Sequence, residues 1–408
     1  MRILQINTTV NSGSTGRIAE DIGKVLMANG HESYIAYGRG NQKSQSKLIK
    51  IGTQIDLYFH RLKTKLFDRH GFGSKKATKD LIVEIEKVNP DVIGLHNIHG
   101  YYINIEILFN FIAKKKIPVL WTFHDCWSFT GHCTFFDSIG CEKWKTQCEK
   151  CPKINSYPSS MGMDNSYYNY NTKKHLINQL QHLKIITPSQ WLRKLTLQSY
   201  LKKFPVACIH NGIDLSLFRP IENTIYLTKK LDLINKKVLL GVASIWDKRK
   251  GLEDFVKLST NLPNEYQIIL IGLSDKQIKC MPKNIIGVKR TESITELAAY
   301  YSLAHVFVNP TYQDNFPTTN IEALACGTPV ITYDTGGSPE AIDSETGEAI
   351  QKGEIQLLKQ AIEKWCLTNS IELSKKCRKR AEILFNKEDR YLEYLEIYNK
   401  ILEDSIIR

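Results

Sequence analysis

No stretch of this 408-residue sequence is long and apolar enough to cross a bilayer. The longest such run, residues 238–246, is about half of the roughly 20 residues a spanning helix needs. The N-terminus, MRILQINTTV, turns polar within a few residues and lacks the apolar core of a secretory signal. Internal repeats and low-complexity tracts are missing. With 42% hydrophobic, 24% charged and 10% aromatic residues, the composition is globular, not disordered, collagen-like or coiled-coil. The length exceeds one compact core and suits two domains of roughly 150–200 residues each. The expectation is a soluble, unsecreted chain of the cytoplasm.

Acidic residues are scarce only in the first half. Residues 1–215 hold 29 Lys and Arg against 16 Asp and Glu, whereas residues 216–408 hold 26 of each, so the whole net charge of +13 lies in the first half. Such asymmetry suits an anionic partner: nucleic acid, anionic lipid or a phosphate-bearing acceptor. No recognised RNA- or DNA-binding module accompanies it, so nucleic acid is not expected. The clearest basic stretch is 55–79, where Ile55, Tyr58, Phe59, Leu62, Leu66 and Phe67 recur at helical spacing among Arg61, Lys63, Lys65 and Arg69. Two readings stand side by side: an amphipathic helix at a membrane interface, or a surface helix whose apolar stripe packs on its own domain.

Short apolar runs alternate with helical patterns along the chain. Strands are expected at 3–6, 34–37, 92–95, 119–123, 185–187 and 206–210, then at 238–242, 267–271, 285–288, 306–308 and 330–333. Helical periodicity fills most gaps, as at 16–29, 296–304 and 355–365. This alternation, occurring twice with a joint near 211–231, predicts an α/β protein of two doubly wound parallel-sheet domains. The expected domains are 1–215 and 216–386, followed by a long helix at 387–408 that crosses back to the first domain. In such sheets ligands bind beyond the carboxyl ends of the strands, and two facing domains would form a cleft there.

The candidate motifs fall at those ends. NSGSTGR (11–17) follows the first strand; Gly13 and Gly16 allow close backbone approach, and Ser14 or Thr15 can cap the next helix, whose N-terminus attracts anions. It is neither a Walker loop nor a G-x-G-x-x-G fingerprint, and a plain turn fits as well. His124 and Asp125 follow the strand at 119–123, where an imidazole beside a carboxylate can orient a sugar or phosphate; a structural histidine is the plainer reading. KRKG (248–251) sets Arg249 and Lys250 before a helix, suiting a diphosphate or simply a charged surface turn.

The strongest signal is DNFPTTNIEALACGTPV (314–330). Pro317 suits a first helical turn, and Thr318 and Thr319 add donors there. Glu322 lies one turn further, placed for a ribose diol, while Asp314 precedes the helix. Gly336 and Gly337 offer backbone amides after the following strand.

The loop from Cys126 contains Cys126, Cys133, Cys141, Cys148 and Cys151, half of the ten cysteines. Disulfides are rare in cytoplasmic proteins, so the clustering points to a metal. Cys148-x-x-Cys151 has half-site spacing, and Cys133 and Cys141 complete a tetrahedral thiolate set for structural zinc, with His132 or Cys126 as substitutes. The zinc would close a loop too long and polar to order itself. Unligated, small apolar cysteines are the alternative.

Taken together, Gly16, His124-Asp125, Thr187-Pro-Ser189, IHNGID (209–214), Lys250-Gly251, the 314–322 segment and Gly336-Gly337 resemble the retaining, nucleotide-sugar-dependent glycosyltransferases of the GT-B fold, family four. The FTGHC loop further resembles a branch common among bacterial polysaccharide gene products. The resemblance implies two Rossmann-like domains facing a cleft, with acceptor bound by the first and donor by the second. It implies catalytic roles for His124, Asp314 and Lys250. It implies donor binding by Gly16, Arg249, Lys250, Asn315, Phe316, Thr318, Glu322 and Gly337. Lys250 would hold the diphosphate, Glu322 the ribose and Asp314 the sugar hydroxyls, with His124 near the sugar's 6-position. Two positions depart from the family pattern: its first acid is usually Glu and here is Asp314, and its Gly-Arg-Leu element reads Ala243-Ser244-Ile245, leaving Arg249 to supply the cation.

The resulting expectation is transfer from a UDP- or GDP-linked sugar, with retained configuration and no catalytic metal, to a glycan or polyprenyl-diphosphate-linked acceptor in surface polysaccharide synthesis. The basic first half would meet an anionic membrane surface at the inner face of the cytoplasmic membrane. The rivals are a nucleotide-sugar epimerase or phosphorylase of the same fold, and a non-catalytic basic membrane- or nucleic-acid-binding protein.

Overall fold

In the computed structural model, which describes residues 1–40, 42–368 and 370–406, short β-branched and aliphatic runs form two sheets whose paired strands are all parallel. The first contains β1 (Arg2–Thr9), β2 (Glu32–Arg39), β3 (Lys47–Lys50), β4 (Val92–Leu95), β5 (Val119–Thr122), β6 (Leu183–Thr187) and β7 (Val206–Cys208), in the order β3-β2-β1-β4-β5-β6-β7. The second contains β8 (Lys237–Val242), β9 (Tyr266–Ile271), β10 (Ile285–Val288), β11 (Val306–Asn309), β12 (Val330–Tyr333) and β13 (Gly347–Ile350), in the order β10-β9-β8-β11-β12-β13. Each chain path runs outward from a central strand and returns on its other side. The direction of winding therefore switches between β1 and β4, and again between β8 and β11.

Helical crossovers cover the sheets, which is why β4, β5, β11 and β12 are buried at every residue. Ile3 and Leu4, successive residues of β1, enter different core clusters on opposite faces. Several crossovers start at side-chain caps, with Asn104, Ser189 and Ser293 each accepting the N–H three residues on.

The chain divides into two compact units: Met1–His210 with Arg390–Arg408, and Asn211–Asp389. The last helix, Lys387–Ile406, buries Tyr391, Tyr394, Leu395, Tyr398 and Ile401 with Ile3, Ile18, Ile22 and Leu26 of the first unit. No helix among the described residues is long and apolar enough to cross a membrane.

Every expected strand coincides with part of an observed one. β3 and β13 were not expected: both are short edge strands, and β3, KLIK, is largely exposed. The basic stretch 55–79 spans two helices, Gln54–Phe67 and Lys75–Val88, because Asp68 closes the first in a left-handed conformation. Of its two readings, packing of the apolar stripe on its own domain is wrong. The helix buries His60 and Thr64, and the stripe is exposed.

Candidate active site

In the second unit the site grows from the ends of β8, β11 and β12, three neighbouring strands at the switch in winding, where an open sheet leaves a crevice. After β8, Asp247 caps a tight turn: its Oδ1 accepts the Lys250 N–H at 3.0 Å. Gly251 follows with φ +74°, and any Cβ there would sit 2.2 Å from the Pro310 carbonyl oxygen. The turn thus lies directly against the chain leaving β11. Lys250 Nζ meets Asp314 Oδ2 at 2.5 Å, both side chains about four-fifths buried. Arg249 Nη1 donates to the Gln313 carbonyl at 3.1 Å, and its own carbonyl accepts from Tyr312 N–H at 2.8 Å.

The helix Thr318–Ala325 begins beyond this loop, with Pro317 as its cap residue. Asn320 fastens it: Oδ1 accepts from Asn309 at 2.8 Å, and Nδ2 donates to the Ser338 carbonyl and hydroxyl at 3.1 Å. Glu322 is 8% exposed, with Oε2 accepting from the Tyr301 hydroxyl at 2.9 Å. Burial, and then the Glu322 charge, keep that phenol protonated by raising its pKa. Gly337 N–H donates to the Asn315 carbonyl at 2.8 Å, tying the loop after β12 to the loop after β11. Asn315 is buried. Phe316 is 4% exposed and packs on Phe385, with ring centroids 5.8 Å apart, so its side chain serves the core. The structure thus brings Arg249, Lys250, Asp314, Asn315, Thr318, Glu322 and Gly337 onto three adjacent strand ends.

In the first unit, Gly16 lies in the helix that follows β1, and a Cβ there would stand 2.8 Å from Thr9 Oγ1. Ser14 and Thr15 are not caps. The helix already begins at Gly13 after Ser12, leaving both inside its first turn. His124 follows β5, with the Asp125 charge acting on it. Its Nε2 faces His96 Nδ1 at 3.2 Å, and His96 Nε2 faces Gln5 Oε1 at 2.9 Å. The Gln5 amide donates to the Ala19 carbonyl, so its oxygen must accept from His96 Nε2–H. A neutral His96 then presents a bare Nδ1, which fixes the proton of His124 on Nε2. Burial lowers both imidazoles, His124 to about 4, so the relay is neutral at pH 7. Asp125 binds His99 Nε2 at 2.8 Å and Trp127 N–H at 2.9 Å. Burial would raise this carboxyl, but His99, the Trp127 N–H and the His124 charge together outweigh it and the pKa is lowered.

The cysteine loop has a core of its own: Trp144 stacks on Phe136 at 4.9 Å and lies 5.4 Å from Phe129, all three buried. Contrary to what its sequence suggested, the loop is therefore not wholly polar but carries a buried aromatic cluster. Cys133, Cys141, Cys148 and Cys151 line one cavity of about 20 Å³, room for one small ion. All are free thiols, and a hydrogen bond from Cys133 with the nearby His132 charge brings the Cys151 thiol down to about 7. Donor type and shared cavity suit a thiolate metal site, but no three of these sulfurs lie within 4.8 Å of one another, so the thiols as placed do not surround an ion. Of the two substitutes, Cys126 lies outside the cavity, whereas His132 lines it: Asp68 holds its Nδ1 at 2.5 Å, the usual support of a metal-binding imidazole, and its Nε2 lies 3.4 Å from the Ser156 carbonyl.

His96, His99, Gln5, Tyr157, Tyr301 and Gln313 went unremarked in the sequence. Each reaches its partner through the fold, and only the paired histidines of HNIHG (96–100), just after β4, offered a local signal.

Known proteins resemble the chain throughout its length. A family model described as "Glycosyltransferase Family 4" matches residues 15–217, and one described as "Glycosyl transferases group 1" matches residues 227–383. The putative colanic acid biosynthesis glycosyl transferase WcaC of Escherichia coli K12 is 26% identical over 88% of this chain and 90% of its own length. An N,N'-diacetylbacillosaminyl-diphospho-undecaprenol alpha-1,3-N-acetylgalactosaminyltransferase of Campylobacter jejuni is 28% identical over 33% of this chain and 37% of its own. Anabaena Alr3699/HepE, solved in complex with UDP-glucose, superposes with a TM-score of 0.69 at 14% identity, covering 98% of this chain and 100% of that one. These matches make the chain a glycosyltransferase, and its two doubly wound units are those of the GT-B class. Within that class, the chain belongs to family four. Both sequence relatives are named as transferases, which does not favour an epimerase, a phosphorylase or a non-catalytic binder.

Proposed function

We propose that this glycosyltransferase moves a sugar from a UDP- or GDP-linked donor, with retained anomeric configuration and without a catalytic metal, to a glycan or polyprenyl-diphosphate-linked acceptor. The pathway class is bacterial surface polysaccharide synthesis, carried out at the inner face of the cytoplasmic membrane. The names of the relatives support the pathway and the lipid-linked acceptor, and the UDP-glucose complex of the structural neighbour supports the donor class.

The observation that carries the reading is the Lys250–Asp314 pair beside Arg249 and Glu322 at the strand switch. In transfer, the bond from the anomeric carbon to the diphosphate oxygen breaks and a bond to the acceptor oxygen forms. The acceptor's proton leaves with the diphosphate. Lys250, Arg249 and the N-terminus of helix Thr318–Ala325 stabilise the departing negative charge, the work a metal does elsewhere. Glu322, oriented by Tyr301, accepts from the ribose diol, and Asp314 accepts from sugar hydroxyls while holding Lys250 in place. His124 and Gly16 keep the roles that the family pattern gives them. For the cysteine loop we propose a structural zinc on Cys133, Cys141, Cys148 and Cys151.

Thermal shift against UDP-, GDP-, ADP- and dTDP-sugars, with Glu322→Ala alongside, tests the donor site. Stabilisation by one nucleotide that disappears in the variant is expected. A folded protein indifferent to all four would overturn the assignment.

A further inference from the structure

The helix Gln54–Phe67 carries its apolar stripe outward. Ile55, Tyr58 and Phe59 are 68%, 65% and 62% exposed, and Leu62, Leu66 and Phe67 continue the row. Its inward face is mostly polar: beside Leu57, which packs on the core, His60 Nε2 accepts the N–H groups of Gly71 and Gly73, and Thr64 Oγ1 donates to the His60 carbonyl. An amphipathic helix ordinarily turns its apolar side to the core. Here that side lies in water, an unfavourable exposure unless something covers it. A second segment extends the patch. Met161 N–H donates to the Lys65 carbonyl at 2.8 Å and Met163 N–H to the Leu66 carbonyl at 3.1 Å, and both methionine side chains are exposed.

Beside this row runs a groove of about 470 Å³ lined by Tyr58, Arg61, Leu62, Lys65, Tyr101 and Tyr157. Arg61 and Lys65 are one helical turn apart, so their like charges repel, and neither forms an ion pair among the described residues. The far wall leads inward: the Tyr157 hydroxyl lies 3.4 Å from His99 Nδ1, and His99 holds Asp125, the neighbour of His124. An anion between the two cations would relieve their repulsion, and a hydrocarbon on the row would cover it. A ligand with a polyanionic head and a long apolar tail satisfies both demands at once.

We propose that this surface seats a polyprenyl diphosphate, the carrier of the acceptor sugar, with the diphosphate between Arg61 and Lys65 and the isoprenoid chain along Tyr58, Phe59, Leu62 and Leu66. The proposal rests on the transferase function above and adds where its lipid-linked substrate is held. The groove accommodates the head and first sugar, while the chain remains in the bilayer surface against the exposed row.

Flotation of the full-length protein tests it, with phosphatidylcholine vesicles containing undecaprenyl diphosphate compared with vesicles of equal charge containing phosphatidylglycerol. Retention at least about tenfold tighter on the former is expected. Arg61→Ala with Lys65→Ala should abolish that preference, and Phe59→Ser with Leu62→Ser should weaken retention on both. Circular dichroism melts confirm that these surface variants fold. Equal retention of the unaltered protein on the two vesicles would overturn the proposal in favour of a general anionic surface. A dimer in ultracentrifugation that dissolves in the Phe59/Leu62 variant, without vesicle retention, would overturn it in favour of a second copy of the chain. The nucleotide-sugar panel is read separately, so loss of the donor assignment and loss of this one are distinguishable.

Discussion

Lys250 Nζ and Asp314 Oδ2 lie 2.5 Å apart although 64 residues separate them in the chain. Adjacent parallel strands make this possible: β8 and β11 are paired, so the turns beyond their carboxyl ends meet. The ammonium proposed to bind the diphosphate is thereby held in place before the ligand arrives, which lowers the ordering penalty of binding.

Lys250→Ala should lower kcat by about 10²–10³-fold, the effect of removing one preorganised charge from a departing anion. Asp314→Asn retains a hydrogen bond but frees Lys250, and should show a smaller loss. Because the two act as a unit, the double variant should fall well short of the product of the single effects, a departure that steady-state kinetics on all four proteins measures.

Gly251 is the residue on which that geometry turns. Its φ of +74° and the 2.2 Å approach of a virtual Cβ to the Pro310 carbonyl oxygen leave no room for alanine. Gly251→Ala should destabilise the second unit by about 1–3 kcal/mol of backbone strain. It should also raise the donor KM by displacing Lys250. Denaturant unfolding checks the first effect and donor titration the second.

The proposed donor side of the site was legible because its residues are local in sequence. Asp314, Pro317 and Glu322 sit in one strand–loop–helix passage, and Arg249 and Lys250 in another, so spacing alone placed them at strand ends. The first unit was less legible. His124 was visible after β5, but its partner His96 comes from the end of β4, and Asp125 turned out to serve His99. Periodicity also identified the stripe on helix Gln54–Phe67 without revealing its direction. That direction depends on His60 accepting two backbone N–H groups from the following loop, which no helical pattern encodes. The aromatic core under the cysteine loop was equally hidden, since Phe129, Phe136 and Trp144 come together only through the path of the loop.

The buried imidazoles set an acid limit on stability. Burial lowers the pKa of His60 to about 3 and that of His124 to about 4. Both lie below the unfolded value near 6.5, so between 6.5 and the folded values the unfolded chain holds more protons. Stability from these groups is therefore present above pH 6.5 and is lost as the pH falls below it, at about 1.4 kcal/mol per pH unit for each fully affected imidazole. Melting temperatures should fall steadily from pH 6.5 towards pH 5, and His124→Asn should flatten the slope. A profile that is level over this range would show imidazoles freely protonated in the folded state.

Metal analysis separates the two remaining accounts of the cysteine loop. If Cys133, Cys141, Cys148 and Cys151 ligate zinc, the purified chain should contain about one zinc, and Cys148→Ser or Cys151→Ser should lose it. Cys126→Ser should retain it, since that thiol lies outside the shared cavity. Chelation should lower the melting temperature and release thiolates to titration, because bringing four sulfurs around one ion contributes folding free energy that the aromatic core alone does not supply. A metal-free chain with four titratable thiols and an unchanged melting temperature would instead mean that Phe129, Phe136 and Trp144 suffice to hold the loop. The cysteines would then be small apolar residues packed beside that core.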